Sequence, residues 1–132
     1  MTVDTVSTLR NYLVSTSAVT SLVPAGDIKV GWQDEITSFP SIIIYQIAGT
    51  DIGYMAYNTQ TAGNKLRLET SNITCDILSR TSMYHAYQIA DVIVPVMISG
   101  GCRKVQDTDL YDDNMKVHRK VLTFRTQRHQ TD

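Results

Sequence analysis

The stretch from Leu66 to Ile98 constrains the fold more than any other part of the chain. It opens as a long β-strand, Leu66 to Leu78, turns at Ser79-Arg80-Thr81, and continues with Met83, Tyr87, Ala90, Val94 and Met97 at helical spacing. A helix of about seventeen residues, laid back over a sheet, is long enough to cover most of a small domain's core. No residue in this unit carries recognisable catalytic chemistry, so it speaks first for the fold. The strand also shows a shift of phase. Leu66 and Leu68 share one parity, whereas Ile73, Cys75 and Ile77 share the other. One extra residue near Thr70–Asn72, a bulge, would bring both sets to a common core.

The rest of the chain supplies partners for that unit. Val3 to Val14 predicts a short amphipathic helix through Val6, Leu9 and Leu13, with Asp4 or Thr5 as its cap. Ser17 is placed to cap a second turn through Ala18, Val19 and Leu22, which Pro24 and Gly26 end. Ile28 to Trp32 reads as a short strand, followed by the polar link Gln33-Asp34-Glu35. Pro40 introduces Ser41 to Ile47, where continuous β-branched residues call for cover on both faces. Ala48 to Lys65 has no clean period. A connection of about eighteen residues between strands is uncommon unless it is functional or mobile, and an extended hairpin also fits. After the helix, which Pro95 is expected to shorten, Gly100-Gly101 provides the stop. Cys102 to Gln106 reads as a strand, Asp107 to Asn114 as an acidic turn, Met115 to Thr126 as a long strand and Gln127 to Asp132 as a frayed tail. The expectation is an α+β fold: an N-terminal helix and a mostly antiparallel β-sheet of four to five strands, with one long helix packed on a face. It forms a single domain over residues 1–132.

Composition narrows the function classes. With 42% hydrophobic and 19% charged residues the chain is globular rather than disordered. A formal net charge of −1 gives no global attraction to nucleic acid or to an anionic membrane. The longest apolar run, Val92 to Ile98, contains Pro95 and is too short to span a bilayer. Cys75 and Cys102 form no Cys-x-x-Cys motif, and no signal-peptide pattern follows Met1. Both are therefore expected as thiols in a reducing compartment, as strand neighbours or apart.

Recognisable site chemistry is sparse. The Asp107–Asn114 segment opens like a calcium loop, but Tyr111 takes a ligand position, Asp112 the required glycine position and His118 that of the bidentate Glu. A solvated hairpin turn is the plainer reading, so no metal and no cofactor is expected. No Gly-x-Ser-x-Gly elbow accompanies His85, His118 or His129, and Cys75 alternates with Ile73 and Ile77 as a core thiol would. An enzyme is not expected. Lys116, Arg119, Lys120, Arg125 and Arg128 follow one another without an intervening acid. They read either as a phosphate-binding stripe or as the charge protection of an edge strand. What remains is surface suited to other proteins. Tyr54, Met55 and Tyr57, with Asp51 beside them, and Tyr111 among Asp109, Asp112 and Asp113 are candidate interface residues. Trp32 is a further aromatic beside a loop, and Arg119 and Arg125 are candidate cationic partners.

The order of these elements resembles a known family. A short N-terminal helix leads to the Pro-preceded strand Phe39-Pro40-Ser41-Ile42-Ile43-Ile44-Tyr45. A second long strand ends in Asp76-Ile77-Leu78-Ser79-Arg80 and runs into a helix with Ala86, Ile89-Ala90 and Val92-Ile93. Val121-Leu122-Thr123-Phe124-Arg125 closes the set. Over residues 3–126 this resembles the tail terminator (tail-completion) proteins of long-tailed phages. The resemblance implies an α+β subunit assembling, usually as a hexameric ring, at the head-proximal end of the tail tube. The ring stops tube polymerisation, presents a surface to the head-tail connector or head-closure protein, and lets DNA pass without specific binding. It implies a virion location in the tail or neck, assembly in the host cytoplasm, no membrane and no catalytic residues. A cyclic ring uses head-to-tail interfaces, and the acidic turn of one subunit meeting the basic strand of the next would suit one. Another neck component, or a small nucleic-acid-binding domain using the 116–128 strand, are the alternative readings.

Overall fold

The computed structural model describes residues 5–31, 33, 36–55 and 66–131. Helix α1 (Thr5–Ser15), the short helix α2 (Ser17–Thr20) and a 3-10 turn (Ala25–Asp27) lead into strands β1 (Ile28–Val30), β2 (Ser41–Met55) and β3 (Leu66–Ser79). Helix α3 (Met83–Ser99) follows, and strands β4 (Cys102–Asp112) and β5 (Val117–Thr131) close the chain. The five strands form one sheet in the order β1-β2-β3-β5-β4, with β1 parallel to β2 and every other pair antiparallel. The expected α+β fold is what forms.

Strand parity decides where the helices lie. Ile42 pairs with Ile77, Ile44 with Cys75, Cys75 with Leu122 and Ile73 with Phe124, which sets one apolar face across three strands. Onto that face α3 buries Ala86, Ile89, Ala90, Ile93 and Met97, and α1 buries Val6, Leu9 and Leu13. Burying each large apolar side chain contributes about 1.5–3 kcal/mol, so this face carries most of the fold's stability. The Ser82 hydroxyl caps α3 by accepting from the His85 amide at 3.1 Å. At the other end Gly100 lies where a Cβ would come within 2.9 Å of Leu9 Cδ2, so a larger residue there would force the Leu9 side chain to shift. Gly101, at φ +92°, supplies the left-handed residue that ends the helix. Arg10 ties α1 down by donating to the carbonyls of Ile28 (2.7 Å) and Ala25 (3.2 Å).

Several expectations are corrected. β3 pairs with β5 without a break from Leu66 to Ser79; the irregularities lie in β2, between Gln46 and Ala48 and between Asp51 and Gly53. Ala48 to Met55 is strand rather than loop, which is the hairpin alternative, and residues 56–65 lie outside the described residues. The acidic segment 107–112 belongs to β4, and the turn is confined to 113–116. Gln127 to Thr131 is not a frayed tail, because it pairs with Leu66 to Thr70. β5 lies between β3 and β4, so its basic residues do not protect a sheet edge. Pro95 is exposed and α3 runs past it to Ser99; Tyr87 points outward while Ala86 and Ile89 take the buried positions. Thr16, not Ser17, precedes α2, and its side chain makes no capping bond. Cys75 and Cys102 lie on strands separated by β5, both buried and not joined in a disulfide, and burial pushes the Cys75 thiol far up.

Candidate functional site

The helices all pack on one face of the sheet, and the opposite face is covered only in part. There Ile43, Leu78 and Val117 form a small buried cluster under Ile36, Phe39 and Tyr45. Gly31, at φ +83°, ends β1 and starts the connection that carries Ile36 and Phe39 over this face. At the other side the 113–116 turn is held by Asp112, whose Oδ1 accepts from the amides of Asn114 (3.0 Å) and Met115 (3.2 Å). Between these two features is a cavity of about 250 Å³. Ile36, Ile43, Leu78, Met115 and Val117 give it apolar walls, and Tyr45, Asp76, Asp112 and Arg119 bring polar groups.

Asp76 is the unusual member. It is only 6% exposed, in the interior of the long central strand. Its Oδ2 accepts from Arg119 Nη2 at 2.8 Å and, at the long limit of a hydrogen bond, from the Tyr45 hydroxyl at 3.5 Å. Oδ1 is buried and has no hydrogen-bond partner, as is Ser41 Oγ two strand positions from Ile43. Burial, and next the charge of Asp76, push the Tyr45 hydroxyl pKa above its ordinary value, so it stays a donor.

A second charged cluster lies on the helix side, beyond the flank of α3. Lys120 pairs across the strands with Asp109, with Nζ 2.9 Å from Asp109 Oδ1, and it also bonds Asp107. Its ammonium stands 4.3 Å from the centre of the Tyr87 ring, and the Tyr87 hydroxyl donates to Asp109. Burial alone would lower the Lys120 pKa, but the two carboxylates outweigh it and hold it above its usual value. The Tyr87 and Lys120 bonds hold Asp109 below the usual carboxylate range. For Asp107 burial opposes this, yet bonds from Lys120 and Lys104 prevail and also lower it. The group fastens the β4–β5 hairpin to α3.

The sequence candidates are thus dispersed. Asp51, Tyr54 and Met55 lie in β2, paired with Glu69, Arg67 and Leu66, while Tyr57 and Trp32 lie outside the described residues. Asp109 is engaged within its own chain, Asp112 caps its turn, and Asp113 is exposed. Tyr111 is 51% exposed, with its ring centre 4.9 Å from that of His118. Arg119 is bound to Asp76, and Arg125 Nε donates to Asn72 Oδ1 at 3.2 Å. The basic stripe is divided: Lys120 faces the helices, Arg119 faces the cavity, and Lys116, at φ 55°, sits in the turn. Asp76 and Tyr45 were missed. The available signal was an acid inside a strand, at the parity opposite Cys75 and Ile77.

Other chemistry is limited. Ser79 Oγ lies 2.7 Å from His85 Nδ1 and accepts from the Thr81 amide, but Ser79 has no exposed surface for a substrate to reach. Among the described residues no group of three or more His, Cys, Asp or Glu could hold a metal ion, and no helix is long and apolar enough to cross a membrane.

The sequence matches no protein-family model and no curated protein. Among solved structures, a chain from the virion of the native gene transfer agent (GTA) particle superposes with a TM-score of 0.67 at 8% identity, covering 92% of each chain. At that identity the likeness is one of fold.

Proposed function

We propose that the chain is a structural virion protein acting as a tail terminator: a ring, usually of six subunits, at the head-proximal end of a tail tube. The ring stops tube polymerisation and offers its other side to the head-tail connector or head-closure protein, with DNA passing through. The observation that carries this reading is the likeness, over 92% of both chains, to a component of a virion. The sequence resemblance adds the position at the tube's end. Two of its quoted motifs also meet in space: Arg80, of the Ser79-Arg80 step, lies 4.3 Å over the ring of Phe39, which precedes Pro40. No catalytic role is assigned.

The test is tube growth. Purified tube protein polymerised with and without the chain should give shorter, capped tubes when the chain is present. An unchanged length distribution counts against termination and leaves another neck component as the nearer reading. The nucleic-acid reading has less support, since Arg119 and Lys120 are already neutralised by Asp76, Asp107 and Asp109.

A further inference from the structure

We infer that the cavity on the helix-free face receives a basic side chain, lysine or arginine, from a neighbouring protein of the assembly; this rests on the structural role proposed above. The first ground is charge. The cavity is lined by two carboxylates, Asp76 and Asp112, and one guanidinium, Arg119, which leaves one net negative charge. The second is the state of Asp76. Arg119 and Tyr45 both use Oδ2, and Oδ1 is buried without a partner. Charge in such a place is poorly screened, so a cation entering the cavity is attracted without needing to touch Oδ1 itself.

The third ground is shape and lining. About 250 Å³ bounded by Ile36, Ile43, Leu78, Met115 and Val117 suits a side chain rather than a larger ligand. Lysine and arginine combine an apolar stem with a cationic head, which matches apolar walls ending on a carboxylate. Asp76 is paired with Arg119, so the surplus charge is that of the lining as a whole; an apolar side chain would leave it uncompensated and an acidic one would add to it. Leu110, 44% exposed, and Met115, 39% exposed, extend the apolar surface beside the cavity and give a partner's backbone something to rest on.

The test uses the full chain with labelled methyl groups on Ile36, Ile43 and Leu78, titrated with acetylated tripeptides Ala-X-Ala in which X is Lys, Arg, Leu or Glu. The expected result is a saturable shift of these methyls with the Lys or Arg peptide, and none with Leu or Glu. Met115→Trp should fill the cavity and abolish the shift while leaving the Ile89 and Ile93 methyls as they were. Asp112→Asn keeps an acceptor for the 113–116 turn but removes charge, and should weaken the peptide about 2–5-fold. Equal shifts with all four peptides, no saturable shift with either basic one, or unchanged binding in Met115→Trp would overturn the inference. Peptide binding alongside unchanged tube lengths would sink the terminator reading and leave the cavity reading standing. Capping by Met115→Trp as complete as by the parent chain would do the reverse.

Discussion

Ile43 and Ile44 are neighbours in β2, yet one borders an open cavity and the other is sealed beneath the helices. The contrast holds across the sheet. On the helix side the sheet's apolar residues share one core cluster with those of α1 and α3, and Lys120, the one buried cation among the described residues, has two carboxylates and an aromatic ring around it. On the other side the apolar cluster is small, and two buried polar atoms, Ser41 Oγ and Asp76 Oδ1, have no partner. A buried polar group without a partner costs about 1–3 kcal/mol. Among the described residues such atoms lie on this face only, and the fold draws its stability from the other.

The sharpest way to break that contrast is to truncate the two isoleucines separately. Ile→Ala in a core costs about 2–5 kcal/mol, depending on how many contacts are lost. Ile44→Ala should fall near the top of that range, about 4 kcal/mol, because the space it leaves is enclosed. Ile43→Ala should cost about 2 kcal/mol, since its side chain already adjoins empty volume. Urea denaturation of both variants decides it; equal costs would mean that the two faces contribute alike.

Next in size is Lys120→Met, expected to cost about 2–3 kcal/mol. That is less than the loss of a fully buried partner, because Asp107 and Asp109 remain partly solvated. The same variant tests the pH response. Asp107 and Asp109 titrate below their ordinary range when folded, so their stabilisation is present above about pH 4 and is lost as pH falls through the folded values. Lys120 is raised, so its contribution is present below about pH 10.4 and is lost as pH rises through its folded value. Between pH 6 and pH 3, Lys120→Met should lose less stability than the parent; an identical loss would place the acid sensitivity elsewhere. The smallest effect concerns only the helix: Ser82→Ala should cost about 1 kcal/mol, read as a lowered denaturation midpoint with unchanged slope.

Much of the helix-covered face was legible in the sequence, because the alternation of Ile73, Cys75 and Ile77 states its period plainly and the continuous β-branched run after Pro40 marks a central strand. The hairpin was not. Asp107, Asp109 and Asp112 look like turn residues when read locally, and only the cross-strand position of Lys120 turns the first two into strand residues with a partner. The same holds for Gln127 to Thr131, whose polar composition suggests fraying until β3 pairs with it. The cavity was illegible for a related reason. Asp76 and Arg119 are 43 positions apart, and no sequence spacing links them, so their meeting follows from strand register alone.

Whether the helix-free face is the docking face can be read most directly by hydroxyl-radical footprinting of the chain, free and bound to tail tubes. Leu110 and Met115 are the exposed apolar residues beside the cavity; Tyr84 and Ile98 are exposed on α3. Protection of Leu110 and Met115 on binding, with Tyr84 and Ile98 still oxidised at their free rate, is the predicted result. Protection of the α3 pair with Leu110 and Met115 unchanged would contradict it.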